Sequence, residues 1–132
     1  MRRLVYTSVA TADFAEGDLF RIVSQSARKN GDIGLSGFLL YSNRRFLQLL
    51  EGPADQISAL YGVIQSDNRH CDCTVVLDEQ IAHSAFSKWS MRRLRSTSND
   101  AILAEIAEQA GRDVPSGLDS IIRDFLSQPA AS

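Results

Sequence analysis

The sequence predicts an α+β fold. It is a ferredoxin-like sheet in the order β-α-β-β-α-β-β with two helices on one face, plus two C-terminal helices capping the other face. Three features lead there. Runs of strand formers alternate, in that order, with segments of helical period. The stretch Arg-Phe-Leu-Gln-Leu-Leu-Glu-Gly-Pro at 45–53 is apolar on both faces of its pleat, so neither face can be wet. The last third holds two amphipathic segments that need an apolar surface to cover.

The elements follow one by one. Residues 3–8 form a first strand, with Leu4 and Tyr6 on one side and Val5 and Thr7 on the other. Acidic Asp13, Glu16 and Asp18 precede a helix over 19–30. Its stripe is Leu19, Ile22, Val23, Ser26 and Asn30, apolar in the first half and hydrogen-bonding in the second. Residues 35–41 form the second strand, and Ser42, Asn43 and Arg44 turn into the third. Gly52 and Pro53 end that strand and start a helix over 53–67, with Ile57, Leu60, Tyr61 and Ile64 inward. A fourth strand spans 71–77, and a short fifth strand carries Trp89 and Met91 on one face. A cap-rich linker at 96–100 leads to a helix with Ile102, Leu103, Ile106 and Ala107. Gly111 to Gly117 breaks it before a last helix with Leu118, Ile121, Ile122, Phe125 and Leu126. The sensible division is a domain over 1–95 and a helical extension over 96–132. Both early helices should cover one sheet face, with the strands of Tyr6 and Gln48 as parallel neighbours. Val5, Leu47 and Leu49 on the other face call for a second cover, from the terminal helices or a second subunit.

Composition narrows the function. With 132 residues, 44% hydrophobic and 23% charged, the chain suits one soluble domain with a real core. No apolar run approaches the about 18 residues of a membrane span, and the N-terminus lacks the apolar region of a secretory signal. A cytoplasmic protein is expected. The net charge of −2 argues against a broad nucleic-acid footprint. Cys71 and Cys73 stand too close in sequence for an unstrained disulfide and read as reduced thiols. With His70 and His83 they make a poor case for a metal site, which needs four ligands in tetrahedral geometry.

Gln48 is the anomaly. Alternation places it on the face of Phe46 and Leu50, where its two donors and acceptor oxygen must be satisfied. Tyr6, Ser26 and Asn30 converge on the same space, and Asp67, with Arg69 or His70, reaches it from the end of the second helix. Taken singly, each has an ordinary structural explanation: a packed tyrosine, a glutamine tied to backbone, a solvated helix end. Together, polar groups ringing an apolar slot suit a flat heterocyclic ligand.

The segments Leu-Val-Tyr-Thr-Ser-Val-Ala at 4–10, Gly-Leu-Ser-Gly-Phe-Leu-Leu-Tyr at 34–41, Phe-Leu-Gln-Leu-Leu-Glu-Gly-Pro at 46–53, Ile-Gln-Ser-Asp-Asn-Arg-His at 64–70 and Phe-Ser-Lys-Trp-Ser-Met at 86–91 resemble the BLUF family. These are blue-light sensors that hold FAD without a covalent link. The resemblance covers residues 2–93. It implies that Tyr6 is the photoactive tyrosine and Gln48 the amide between it and the flavin. Asn30 is implied to bond the ring's carbonyl edge. Ser26, Lys29, Phe46, Asp67, Arg69 and His70 fall where the family contacts the cofactor. Trp89 and Met91 match the pair, next to the glutamine, that relays the signal. Ser36 stands where the family usually has Thr, and the position of Lys29 varies in the family; neither touches the photochemical residues.

The resemblance implies a photoreceptor and not an enzyme, signalling through the fifth strand and the C-terminal helices. The 39 residues after Arg93 are too few for an effector domain, so the expectation is a separate partner protein or a change in self-association. Neither nucleic acid nor a membrane is expected as a partner. The alternative is a flavin-free protein-interaction module on the same scaffold. A flavoenzyme is disfavoured, because neither a catalytic base nor a Gly-rich dinucleotide fingerprint stands out.

Overall fold

The computed structural model describes residues 1–10, 35–66, 70–94, 98–111 and 114–127, and of Val63, His70, Ser90, Met91 and Arg93 the backbone only. Among the described residues, five strands form one sheet: β1 (Arg2–Ala10), β2 (Ser36–Ser42), β3 (Arg45–Gly52), β4 (His70–Gln80) and β5 (Ser90–Arg93). Three helices accompany it among the same residues: α1 (Ala54–Gln65), α2 (Asn99–Ala110) and α3 (Leu118–Ser127). The helix expected over 19–30 lies outside the described residues.

The strand order is β4-β1-β3-β2-β5. β1 through β4 pair antiparallel, and β5 joins β2 in parallel. This corrects one expectation: β1 and β3 run antiparallel, not parallel. The parallel relation in such a fold belongs to the two strands joined by a crossover, and β3 returns between them by a hairpin. Asn43 and Arg44, at φ 53° and 64°, form that two-residue hairpin turn, whose twist matches the strands.

Being central, β3 is buried on both sides. Leu4, Tyr6, Leu39, Phe46, Leu50 and Ile57 of α1 form one core, with Leu60, Tyr61 and Ile64 against it. Val5, Phe38, Leu40, Leu47 and Leu49 form the other, together with Phe86, Trp89, Ile102, Ile106, Ile122 and Phe125. The terminal helices therefore supply the second cover. The Ser98 side chain caps α2 by accepting from Ala101 N–H, and Gly111 closes it at φ 57°.

β4 runs three residues past its expected end. Asp78, Glu79 and Gln80 lie opposite Leu4, Arg3 and Arg2, where charge replaces apolar pairing. Arg2 donates Nε to Asp78 Oδ1 and Nη2 to Oδ2, both at 2.8 Å, and Nη1 to Ser58 Oγ of α1 at 2.6 Å. Arg3 is buried, bonded to Glu51 and, through Nη1, to Glu79 Oε1 at 2.6 Å.

Two outcomes test this frame. A Cβ on Gly37 would lie 1.8 Å from the Leu49 carbonyl oxygen, so Gly37→Ala must part β2 from β3. It is expected to lower stability by about 3 kcal/mol or more in urea unfolding. The hydrogen bond from Arg2, with its charge, holds the Asp78 carboxyl below its ordinary range against the opposing effect of burial. A carboxyl so lowered stabilises the fold above the usual carboxylate range and loses that contribution as pH falls through the folded value. Asp78 is half exposed, so Asp78→Asn should cost no more than about 1 kcal/mol near neutral pH. Urea titrations of parent and variant should converge below about pH 4.

Candidate functional site

The register decides the site. Tyr6 of β1 sits directly opposite Gln48 of β3, and Leu39 of β2 is Gln48's neighbour on the other side. The Tyr6 hydroxyl donates to Gln48 Oε1, and both side chains are buried. A buried amide satisfied in this way avoids a penalty of about 1–3 kcal/mol. Leu4, Leu39, Phe46, Leu50 and Ile57 make the surroundings apolar, which strengthens the bond by excluding water.

Aromatic rings line the same face. The Tyr61 ring of α1 lies 5.3 Å from that of Tyr6, tilted by 52°. Tyr41 and Phe46 lie 4.9 Å apart. Burial pushes the Tyr61 hydroxyl up, with Cys73 adding to it. The Cys73 thiol is pushed up by burial, and by Cys71 and Asp72. Both groups stay neutral near physiological pH, so this wall bears no charge of its own at those positions. Cys71 and Cys73 are free thiols.

Of the residues singled out from the sequence, Tyr6, Phe46 and Gln48 come together on one face. Ser26, Lys29, Asn30, Asp67 and Arg69 lie outside the described residues. The His70 backbone opens β4 opposite Ala10, and the Met91 backbone lies in β5; their side chains are not described. Trp89 stands just before β5 in the other core, stacked on Phe86 at 5.4 Å and 24°, and edge-on to Phe38 at 6.0 Å. The Arg92 guanidinium lies 5.4 Å over its ring and donates Nε to Glu105 Oε1 of α2 at 2.7 Å.

One residue escaped the sequence reading. Glu51, just before the Gly52-Pro53 strand end, is fully buried. Its Oε2 accepts from Arg3 Nε at 2.8 Å, and its Oε1 accepts from the Phe86 backbone N–H at 2.9 Å. The signal was present: alternation puts Glu51 on the face of Leu47 and Leu49, where a charge needs a partner.

The site is thus a phenol hydrogen-bonded to a carboxamide among apolar and aromatic side chains, an arrangement suited to a flat ligand with a hydrogen-bonding edge. The chain belongs to the BLUF family, described as sensors of blue light using FAD, whose pattern matches residues 1–92. The beta subunit of a photoactivated adenylate cyclase from Euglena longa is 37% identical over 89 residues, covering 67% of this chain and 10% of that protein. The chain thus spans about a tenth of such relatives, and their remaining length has no counterpart in it. Klebsiella pneumoniae BlrP1, solved with FMN and cyclic diGMP, is 29% identical with a TM-score of 0.84, over 96% of this chain and 34% of that one. BlrB, a BLUF protein solved in its dark state, is 26% identical with a TM-score of 0.71, over 96% of this chain and 95% of that one. Among the described residues, no helix is long and apolar enough to cross a membrane.

Because Trp89 is the only tryptophan, its emission reports this corner alone. Emission excited in the tryptophan band should lie to the blue of free tryptophan. Arg92→Ala should shift it to the red and cost about 0.5–1 kcal/mol, the worth of a half-exposed cation over a ring.

Proposed function

We propose that this chain is a blue-light photoreceptor that binds FAD non-covalently on the Tyr6 face of the sheet, with Tyr6 and Gln48 as the switch. The hydrogen bond from the Tyr6 hydroxyl to Gln48 Oε1 carries this reading. The apolar wall and the single polar pair suit a planar ring with a hydrogen-bonding edge. When bound, FAD supplies absorption of blue light and an excited ring able to take an electron and a proton. Tyr6 is the donor of both, and Gln48 lies on the proton's way out from Tyr6 Oη. A carboxamide has a donor at one end and an acceptor at the other, so its rotation or tautomerisation exchanges the two without any atom leaving the site. Such an exchange redistributes about 1–3 kcal/mol of buried hydrogen bonding, enough to bias a two-state contact and not to unfold the domain.

Ser26, Lys29, Asn30, Asp67, Arg69 and His70, with Phe46, are assigned to hold the ring edge, ribityl chain and phosphates. Residues 1–95 are the sensor and 96–132 the output extension. Trp89 and Met91 at β5 pass the change to α2 and α3, and a separate effector protein reads it, with self-association of the chain as the other route. The likeness to BlrB, a BLUF protein, over 96% of this chain supports the sensing role.

The purified protein should be yellow and release FAD on denaturation. Its absorption should shift slightly to the red under blue light and recover in darkness. Tyr6→Phe should keep the flavin and lose the shift. A protein that stays colourless after flavin is added ends this reading.

A further inference from the structure

The turn before β5 is fastened at both ends. Trp89 N–H donates to the Phe86 carbonyl at 2.9 Å and closes the turn. On one side of it, Phe86 N–H donates to Glu51 Oε1 at 2.9 Å. On the other, the Trp89 carbonyl accepts from Gly37 N–H at 2.8 Å. Glu51 and Gly37 are close neighbours on adjacent strands, since Ser36 lies opposite Glu51 and Gly37 opposite Leu50. The turn is thus held to one spot, the end of β3 and the start of β2.

Glu51 is an unusual fastener. A fully buried carboxylate is costly, and a merely structural bond could have come from backbone or a neutral group. Its second oxygen is held by Arg3 of β1, with Nη2 at 2.7 Å. The Ser36 hydroxyl across from it is buried with no hydrogen-bond partner among the described residues, so the spot has polar capacity in reserve. Glu51 lies three residues beyond Gln48 on the same strand and points to the opposite face. β3 is hydrogen-bonded along both edges, so a backbone shift at Gln48 is carried to Glu51 rather than absorbed between them. With Arg3 fixing one oxygen, such a shift alters the bond from the other oxygen to Phe86. The rings of Phe86 and Trp89 are already packed into the core that α2 and α3 share.

We propose that Glu51 is a positioning residue that carries a shift of β3, begun at Gln48, through the sheet to the Phe86–Trp89 turn and so to α2 and α3. This rests on the reading of Tyr6 and Gln48 as the light switch. It also explains how Trp89 can respond while standing on the face away from Gln48.

The test uses the full chain loaded with FAD, in darkness and under blue light. Three quantities are read: the flavin absorption shift, the emission of Trp89, and hydrogen exchange at the Phe86 amide. In the parent, the red shift should come with a change in Trp89 emission and about a tenfold loss of Phe86 protection. Glu51→Gln and Glu51→Asp should keep the red shift while the Trp89 response falls about fivefold or more, the size of a typical coupling between sites. Glu79→Gln, which touches only the outer side of Arg3, should keep both. If the Glu51 variants do not fold, Phe86 exchange in the parent decides alone. A red shift with unchanged Phe86 protection, or with no Trp89 response in the parent, overturns the relay. So does a full Trp89 response in the Glu51 variants, or loss of their red shift together with it. A parent that binds flavin and shows no red shift overturns the photoreceptor reading itself.

Discussion

A strand with no wet face governs this fold. β3 sits between β1 and β2 with a separate core on each side, and every polar side chain on its interior must be answered by a neighbour. It carries two such groups, Gln48 on one face and Glu51 on the other, and each is answered from β1, by Tyr6 and by Arg3. The antiparallel register that brings Tyr6 opposite Gln48 also brings Arg3 opposite Glu51. A slip of one residue would send both polar groups to the wrong faces at once. The two pairs therefore hold each other's alignment.

The division of labour between the faces follows. The Tyr6 face has α1 and its aromatic rings, and it is the face to which the proposed function assigns the flavin. The Glu51 face has the turn with Phe86 and Trp89 and the two terminal helices. On the proposed function, chemistry on one side and output on the other communicate across one layer of strands, and the central strand is the shortest route. Arg92 adds a link at the rim, bonded to Glu105 of α2 while covering the indole.

Much of this was legible from residue order. The both-sided apolar run at 45–53, the anomalous Gln48 and the stripes of the terminal helices gave the elements, the two-faced core and the pair with Tyr6. The relative direction of β1 and β3 was not, because a pleat pattern fixes which side chains share a face and says nothing about strand polarity. The end of β4 was missed because Asp78-Glu79-Gln80 looks like a loop until Arg2 and Arg3 are placed across from it. The side taken by Trp89 was not legible either, because it sits in the turn ahead of the strand, where alternation no longer assigns a side. Glu51 was readable and went unread.

β4 lies at the edge of the sheet among the described residues, and it exposes Val75 and Val76 at 44% and 41%. A flat apolar border of that kind invites another chain to add its own strand and begin an aggregate. The border is not flat. Its pairing with β1 slips twice, and Asp72 stands at φ 56° in the second irregularity. Those two irregularities take the border out of the straight pleat that a second copy would need to pair in register, even though its side chains are partly greasy.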